Sequence, residues 1–270
     1  MKMSLYVSVF CCATSYAIMA QAVCTPAPDC ASLGYKMTAA DCTGQITVKC
    51  PTDTSKVFCK VKAKEEVETA AILYGDGTVA SGVVTGKTPI GVVFDTDNRL
   101  AVALTDVKKD GTAGSETMEW SSSYCDTPGL QNCTATEIPY GTNLTPITCG
   151  VDGRLNTNAI LASSCNGTTY AATATNNYQP TGCAKDFCKK TKWFLPSIRD
   201  LQNIYLQKTQ IDASLTLLKG YSATTVKNDY YWSSTEYSMY SAWRFGMHNG
   251  ARNYGSKYDS NVYVRPILAV

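Results

Sequence analysis

Eleven cysteines stand between Cys24 and Cys188, and residues 189–270 have none. Such density in an exported chain reads as a disulfide framework. Export is what the N-terminus predicts. Lys2 is a short positive region, Leu5 to Ala20 is apolar, and Ala20-Gln21-Ala22 is a small-residue cleavage site. The mature chain is then expected to begin at Val23. Val23 before Cys24 argues against a lipoprotein, which needs a small residue there. Cys11 and Cys12 leave with the signal. The alternative use of cysteine, a zinc site, is disfavoured because the chain has no C-x-x-C and a single histidine, His248. Eleven is odd, so one thiol stays free or pairs with another chain. Connectivity is not readable from sequence.

The chain has 270 residues, 24 Lys+Arg against 22 Asp+Glu, and a net charge of +2. That balance argues against a nucleic-acid partner or a membrane-surface binder. No stretch beyond the signal has the roughly 18 apolar residues of a membrane helix. The expected location is extracytoplasmic: secreted, periplasmic or on the cell surface.

The C-terminal stretch carries the clearest pattern. Trp243, Phe245 and Met247 alternate with Arg244, Gly246 and His248, the period of a half-buried strand. Asn249-Gly250 follows as a hairpin signal, since both residues tolerate positive φ. Val262, Val264 and Ile267 supply a closing strand with Pro266 near its end. Among these apolar positions lie Arg244, His248, Asn249, Arg252, Asn253, Tyr254, Ser256, Tyr258, Asp259 and Asn261. A polar, aromatic-rich set on a fixed scaffold is the composition of a ligand-binding face.

The runs YYWSSTEY, AWRF and YVRPILA at the C-terminus resemble the end of the bacterial Lcl C-terminal domain family. Two upstream pieces agree, KTPIGVVFDTDNRLAVALTDV at 87–107 and KWFLPSIRDLQNIY at 192–205. The resemblance implies an α+β, C-type-lectin-like fold with short antiparallel strands and two helices. That fold is shared with formylglycine-generating enzymes and with variable proteins of diversity-generating retroelements. Members of the family include surface adhesins that bind sulfated polysaccharides.

Elsewhere the chain divides by composition. Residues 23–62 hold five cysteines and few large apolar side chains, a small module held by disulfides. Lys60 to Glu68 reads as a charged linker or strand edge, and residues 63–270 as the main domain. Ile90–Phe94 and Leu100–Leu104 predict a buried hairpin. Its loop, Asp95-Thr96-Asp97-Asn98-Arg99, reads as turn chemistry rather than a calcium loop. Residues 108–191 lack periodicity and carry six cysteines, which predicts an insertion pinned by up to three disulfides. Asn132, Asn143 and Asn166 open incidental sequons. Ser197 and Asp200 predict a capped helix bearing Ile198, Leu201, Ile204 and Tyr205 on one face. A second helix is expected from Thr209 to Lys219, with Gly220 as its stop. Trp232 and Trp243 are expected in the core, and Glu236 and Arg265 as a partly buried pair.

Catalytic signatures are missing from the sequence. No nucleophile elbow, phosphate-binding loop or dinucleotide fingerprint occurs. Formylglycine-generating activity would need cysteines after Cys188, and calcium-dependent lectins carry EPN or QPD with WND, none of which is present. The expectation is a binding protein, not an enzyme, with no cofactor and no metal. Its partner would be an extracellular glycan or protein ligand, and a homo-oligomer is compatible with it. A structural component of a surface or pilus-like assembly is the alternative. A narrower reading comes from codons. Retroelement diversification turns AAY codons into NNY codons, which never encode Lys, Glu, Gln, Met or Trp. Between 243 and 261 those types occur only at Trp243, Met247 and Lys257, which would then be scaffold.

Overall fold

The computed structural model describes residues 70–270, and the backbone of two strands at 46–49 and 57–60. The signal segment, its cleavage site, the linker beyond Lys60 and the side chains of the five N-terminal cysteines lie outside the described residues. The chain divides into two units, Met1–Glu66 and Val67–Val270. In the first, β1 (Ile46–Lys49) and β2 (Val57–Lys60) pair antiparallel, Ile46 facing Lys60 and Lys49 facing Val57.

The second unit is α+β. A six-stranded sheet contains β3 (Ile72–Tyr74), β4 (Val79–Ala80), β5 (Pro89–Asp95), β6 (Leu100–Ala103), β8 (Trp193–Phe194) and β13 (Ile267–Ala269), in the order β4-β3-β5-β6-β13-β8. A five-stranded sheet contains β7 (Thr117–Met118), β9 (Tyr230–Ser238), β10 (Ser241–Gly246), β11 (Ala251–Ser256) and β12 (Val262–Tyr263), in the order β11-β10-β9-β12-β7. Alternate side chains feed two cores. Ile72, Val102, Ile267 and Trp243 enter one, and Leu73, Ala101, Leu268 and Trp232 enter the other. Burial on both faces is why 89–95 reads as a continuous apolar run rather than an alternating one.

The expected hairpin at 90–104 forms as β5–β6. Asp95 closes its turn by accepting from the Asn98 backbone N–H at 2.9 Å and the Asn98 side-chain amide at 2.8 Å. The capped helix is α3 (Ile198–Leu206). Ser197 Oγ accepts from Asp200 N–H at 3.2 Å, and the Asp200 carboxylate accepts from Ser197 N–H at 2.8 Å. It is followed by α4 (Lys208–Leu217). Gly220 is not the stop: it sits inside a 3-10 turn, and Ser222 takes the left-handed conformation, with φ 62°. The two helices expected become four among the described residues, because 108–191 also folds α1 (Gly153–Ala162) and α2 (Ala171–Asn177). Their periodicity is hidden by what they bury. The inner positions are Gly153, Asn156, Thr157 and a single large apolar residue, Ile160, in α1, and three alanines with Thr175 in α2. All six cysteines of this segment pair, as Cys125–Cys165, Cys133–Cys149 and Cys183–Cys188.

Two expectations at the C-terminus are corrected. The closing run is not one strand. Val262 lies in β12 and Ile267 in β13, which belong to different sheets, with Pro266 in the crossing between them. Glu236 and Arg265 are not partners either. Arg265 pairs with Asp106 at 3.3 Å and donates to the carbonyls of Ala103, Leu104, Thr224 and Thr225, so it ties β6 to the 224–225 loop. Glu236 pairs instead with Lys257 at 3.1 Å.

Candidate functional site

The hairpin β10–β11 opens the site. Its register sets Trp243 opposite Tyr254, Arg244 opposite Asn253 and Phe245 opposite Arg252. The Asn249-Gly250 signal does mark the reversal, but as a four-residue turn, Met247–Gly250, in which only Gly250 takes positive φ, at 74°. Asn249 contributes its side chain, which accepts from Ala251 N–H at 3.0 Å.

Alternation along the strands then splits the ten expected residues between two sides of the sheet. On the Trp243 side stand Arg252 and Tyr254. Arg252 is 0% exposed, which removes it from the accessible face. Its Nη2 donates to Thr145 O at 3.2 Å, and its backbone bonds in both directions with Gly141. Nε and Nη1 have no protein acceptor, and burial pulls its pKa below the ordinary guanidinium value. Arg252 is therefore a strut beneath the 139–147 loop. Tyr254 is at the surface, 36% exposed, and its ring stacks on Tyr237 at 4.0 Å and 4°. Trp243 meets the Tyr254 ring edge-on at 5.6 Å, and Tyr140 does so at 6.0 Å. The Tyr237 hydroxyl beside it raises the Tyr254 phenol above its usual pKa, so Tyr254 stays neutral.

On the Arg244 side the guanidinium lies 4.6 Å over the Tyr230 ring and pairs with Asp259 at 2.5 Å. A Cβ on Gly255 would come within 3.0 Å of that guanidinium, so glycine there is what lets the arginine lie flat. His248 is exposed and meets Tyr230 edge-on at 5.2 Å. Asp259 also accepts from Asn261 N–H at 3.0 Å. Arg244 is thus half-buried and held from two directions, not a free surface cation.

Ser256 and Tyr258 belong to a third group, near the β9–β10 turn. Tyr124 OH and Ser256 Oγ are 2.7 Å apart. The Tyr124 ring lies 4.1 Å from Tyr258 and 5.4 Å from Tyr240. Tyr124, Tyr140, Tyr240, Tyr254 and Tyr258 are 40%, 59%, 56%, 36% and 45% exposed. Sequence reasoning missed Tyr124, Tyr140, Tyr237 and Tyr240. The last two sit in the YSMYS run and were open to a composition count. Tyr124 and Tyr140 had no local signal. They are brought in by their chain neighbours' disulfides, Cys125–Cys165 and Cys133–Cys149.

The family description that fits the chain is the Lcl C-terminal domain, matched over residues 112–268. No curated protein matches. Among solved structures, a fimbrial protein from Bacteroides ovatus ATCC 8483 is similar, with 15% identity and a TM-score of 0.46. The match covers 75% of this chain and 48% of that one, so this chain spans about half its length.

Proposed function

The chain belongs to the Lcl C-terminal domain family, and on that premise we propose that it is an exported binding protein. Its ligand is a glycan or a protein, met by the tyrosine-rich end of the five-stranded sheet. One observation carries this reading: five exposed tyrosines drawn from four separate chain segments gather in two ring clusters, Tyr124 with Tyr240 and Tyr258, and Tyr140 with Tyr254 and Tyr237, so that each packs against another ring. Tyrosine supplies large contact area with few torsions to freeze, and ring-on-ring packing fixes those torsions before a ligand arrives. Arg244, His248, Asn253 and Asp259 form a separate polar patch on the other side of the sheet.

Three disulfides within 125–188 support an oxidising location outside the cytoplasm, in line with the Ala20-Gln21-Ala22 signal. Among the described residues no helix is long and apolar enough to cross a membrane. The return of β13 to pair with β6 supports the C-type-lectin-like reading of the fold. Retroelement diversification of 244–261 is a narrower proposal. A buried Arg252 makes that position a poor one to vary, and a template repeat beside a reverse transcriptase gene would decide it. We assign no reaction to the site.

The test is a glycan and protein array probed with the mature protein, repeated with a Tyr254→Ala/Tyr258→Ala variant. Alanine at a binding hot spot costs about 2 kcal/mol or more, or roughly thirtyfold in Kd. An identified ligand whose affinity is unchanged in the folded variant refutes the tyrosine face. A second reading, assembly, is favoured by the cysteine count. Six of the eleven are paired within the domain, and the five left are an odd number. Array silence with a thiol-linked dimer on non-reducing gels supports that reading instead.

A further inference from the structure

A crevice of about 310 Å³ opens in the Val67–Val270 unit, away from the tyrosine face. Its floor is Pro89, Leu104, Thr105, Tyr178 and Pro180, all buried, and its rim includes Thr181, Tyr221 and Ser222, all exposed. The volume is near the lower end of the roughly 300–1,000 Å³ found for small-molecule sites. No charged side chain lines it, and its polar side chains are all hydroxyls: Thr88, Thr105, Thr181, Ser222 and Tyr178.

One of those hydroxyls calls for a partner. Thr105 is 6% exposed, and its Oγ1 makes no hydrogen bond. A buried hydroxyl without a partner costs free energy, and native structures seldom tolerate it without a use. Tyr178 is pushed up to about 12 by burial, an effect only partly opposed by the neighbouring Thr105 hydroxyl and the Arg265 charge. It therefore presents a phenol O–H across the physiological range. Its ring is fixed edge-on against Trp193 at 5.0 Å. Tyr221, 42% exposed, offers a second aromatic surface at the mouth.

We propose that this crevice is a second binding site, which takes one neutral, polyhydroxylated unit the size of a monosaccharide. A hydroxyl-only lining rejects ions, for which it holds no counter-charge, and matches a ligand that both donates and accepts. The exposed ring of Tyr221 at the mouth suits the apolar face of a sugar ring. The occupant is either a free monosaccharide or the terminal unit of a glycan chain.

The mature protein is titrated with neutral monosaccharides (glucose, galactose, mannose, fucose, xylose, N-acetylglucosamine) and with oligosaccharides ending in each, read by calorimetry and by tyrosine ring resonances. At least one sugar is expected to bind with a Kd on the order of 1 mM, the range for a ligand of about a dozen heavy atoms. Thr105→Val keeps the shape and removes the hydroxyl, and is expected to weaken binding about tenfold. Thr181→Trp fills the crevice from its exposed rim, where folding is spared, and is expected to abolish it. All titrations are run in a Tyr254→Ala/Tyr258→Ala background, so that the tyrosine face contributes nothing to the binding that is read. Binding by oligosaccharides alone, lost in Thr181→Trp, supports the chain-end occupant. Absence of binding by any sugar, or binding that survives Thr181→Trp, overturns the proposal.

Discussion

Lys257 and Glu236 form an ion pair of 3.1 Å in which the two side chains are 0% and 1% exposed. The ammonium also donates to Cys125 O at 2.7 Å and lies 4.7 Å over the Trp120 ring. Glu236 Oε1 accepts from Thr127 N–H at 3.1 Å. The pair therefore joins the loop after β11 to β9 and to the 125–127 segment, beneath the exposed tyrosines. Removing either partner strands the other in the core. Lys257→Met and Glu236→Gln are each expected to lose about 3–5 kcal/mol, and the double Lys257→Met/Glu236→Leu variant clearly less than the sum. Additive losses in urea unfolding would mean that the two do not act as a pair.

Trp243 is fully buried, and its indole N–H donates to Cys133 O at 2.7 Å. Trp243→Ala should cost about 3–5 kcal/mol. Arg244 on the opposite side keeps its ion pair and its ring contact, so Arg244→Ala should lose about 1–2 kcal/mol rather than nothing. Chemical denaturation of both variants orders the two losses, and equal values would contradict the register of β10.

Asp200 gives a pH signature. Burial raises its carboxyl to about 6 from 3.8, against the pull of the Ser197 hydroxyl and amide. The folded value is the higher one, so the folded chain binds this proton more tightly than the unfolded chain. The contribution to stability is full below about pH 4 and is lost as pH rises through 6, at about 3 kcal/mol in all. Asp200→Asn keeps an acceptor for the Ser197 N–H and cannot titrate. Between pH 4 and 6.5 the Tm of the parent should fall relative to that of the variant. Parallel pH profiles would rule out the raised carboxyl.

Cys133–Cys149 closes the loop that carries Tyr140 and Thr145, with a sequence separation of 16. For a loop of that length the lost cross-link costs about 3 kcal/mol. Cys133→Ala/Cys149→Ala is expected to show that loss in thermal melts and to raise protease cutting within 134–148. A variant cut no faster than the parent would mean that Gly141 and Arg252 hold the loop unaided.

Several elements were legible because their signal is local. The β5–β6 hairpin is two apolar runs around an Asp/Asn turn, and the start of α3 is a Ser and an Asp three residues apart, whose bonds close within one helical turn. Trp243, Phe245 and Met247 point inward, as their spacing of two demands. The helices α1 and α2 were not legible, since Gly153, Asn156, Thr157, Thr175 and alanines make up most of their buried faces and Ile160 alone makes no apolar stripe.

The sequence by itself determined that this chain carries a disulfide framework in 108–191 and ends in a half-buried hairpin, because composition and periodicity act over a few residues; the α+β class came from its family resemblance. Only the tertiary structure decided what that hairpin shows to solvent. Arg252 and Tyr254 share one side of β11 and have the same parity, yet one is buried and the other exposed, because Gly141 and Thr145 cover only the first. Glu236 met Lys257 and not Arg265 for the same reason. Such partners are set by which distant segment covers a position, and a disulfide or a crossing between sheets fixes that cover without leaving a mark in the local sequence.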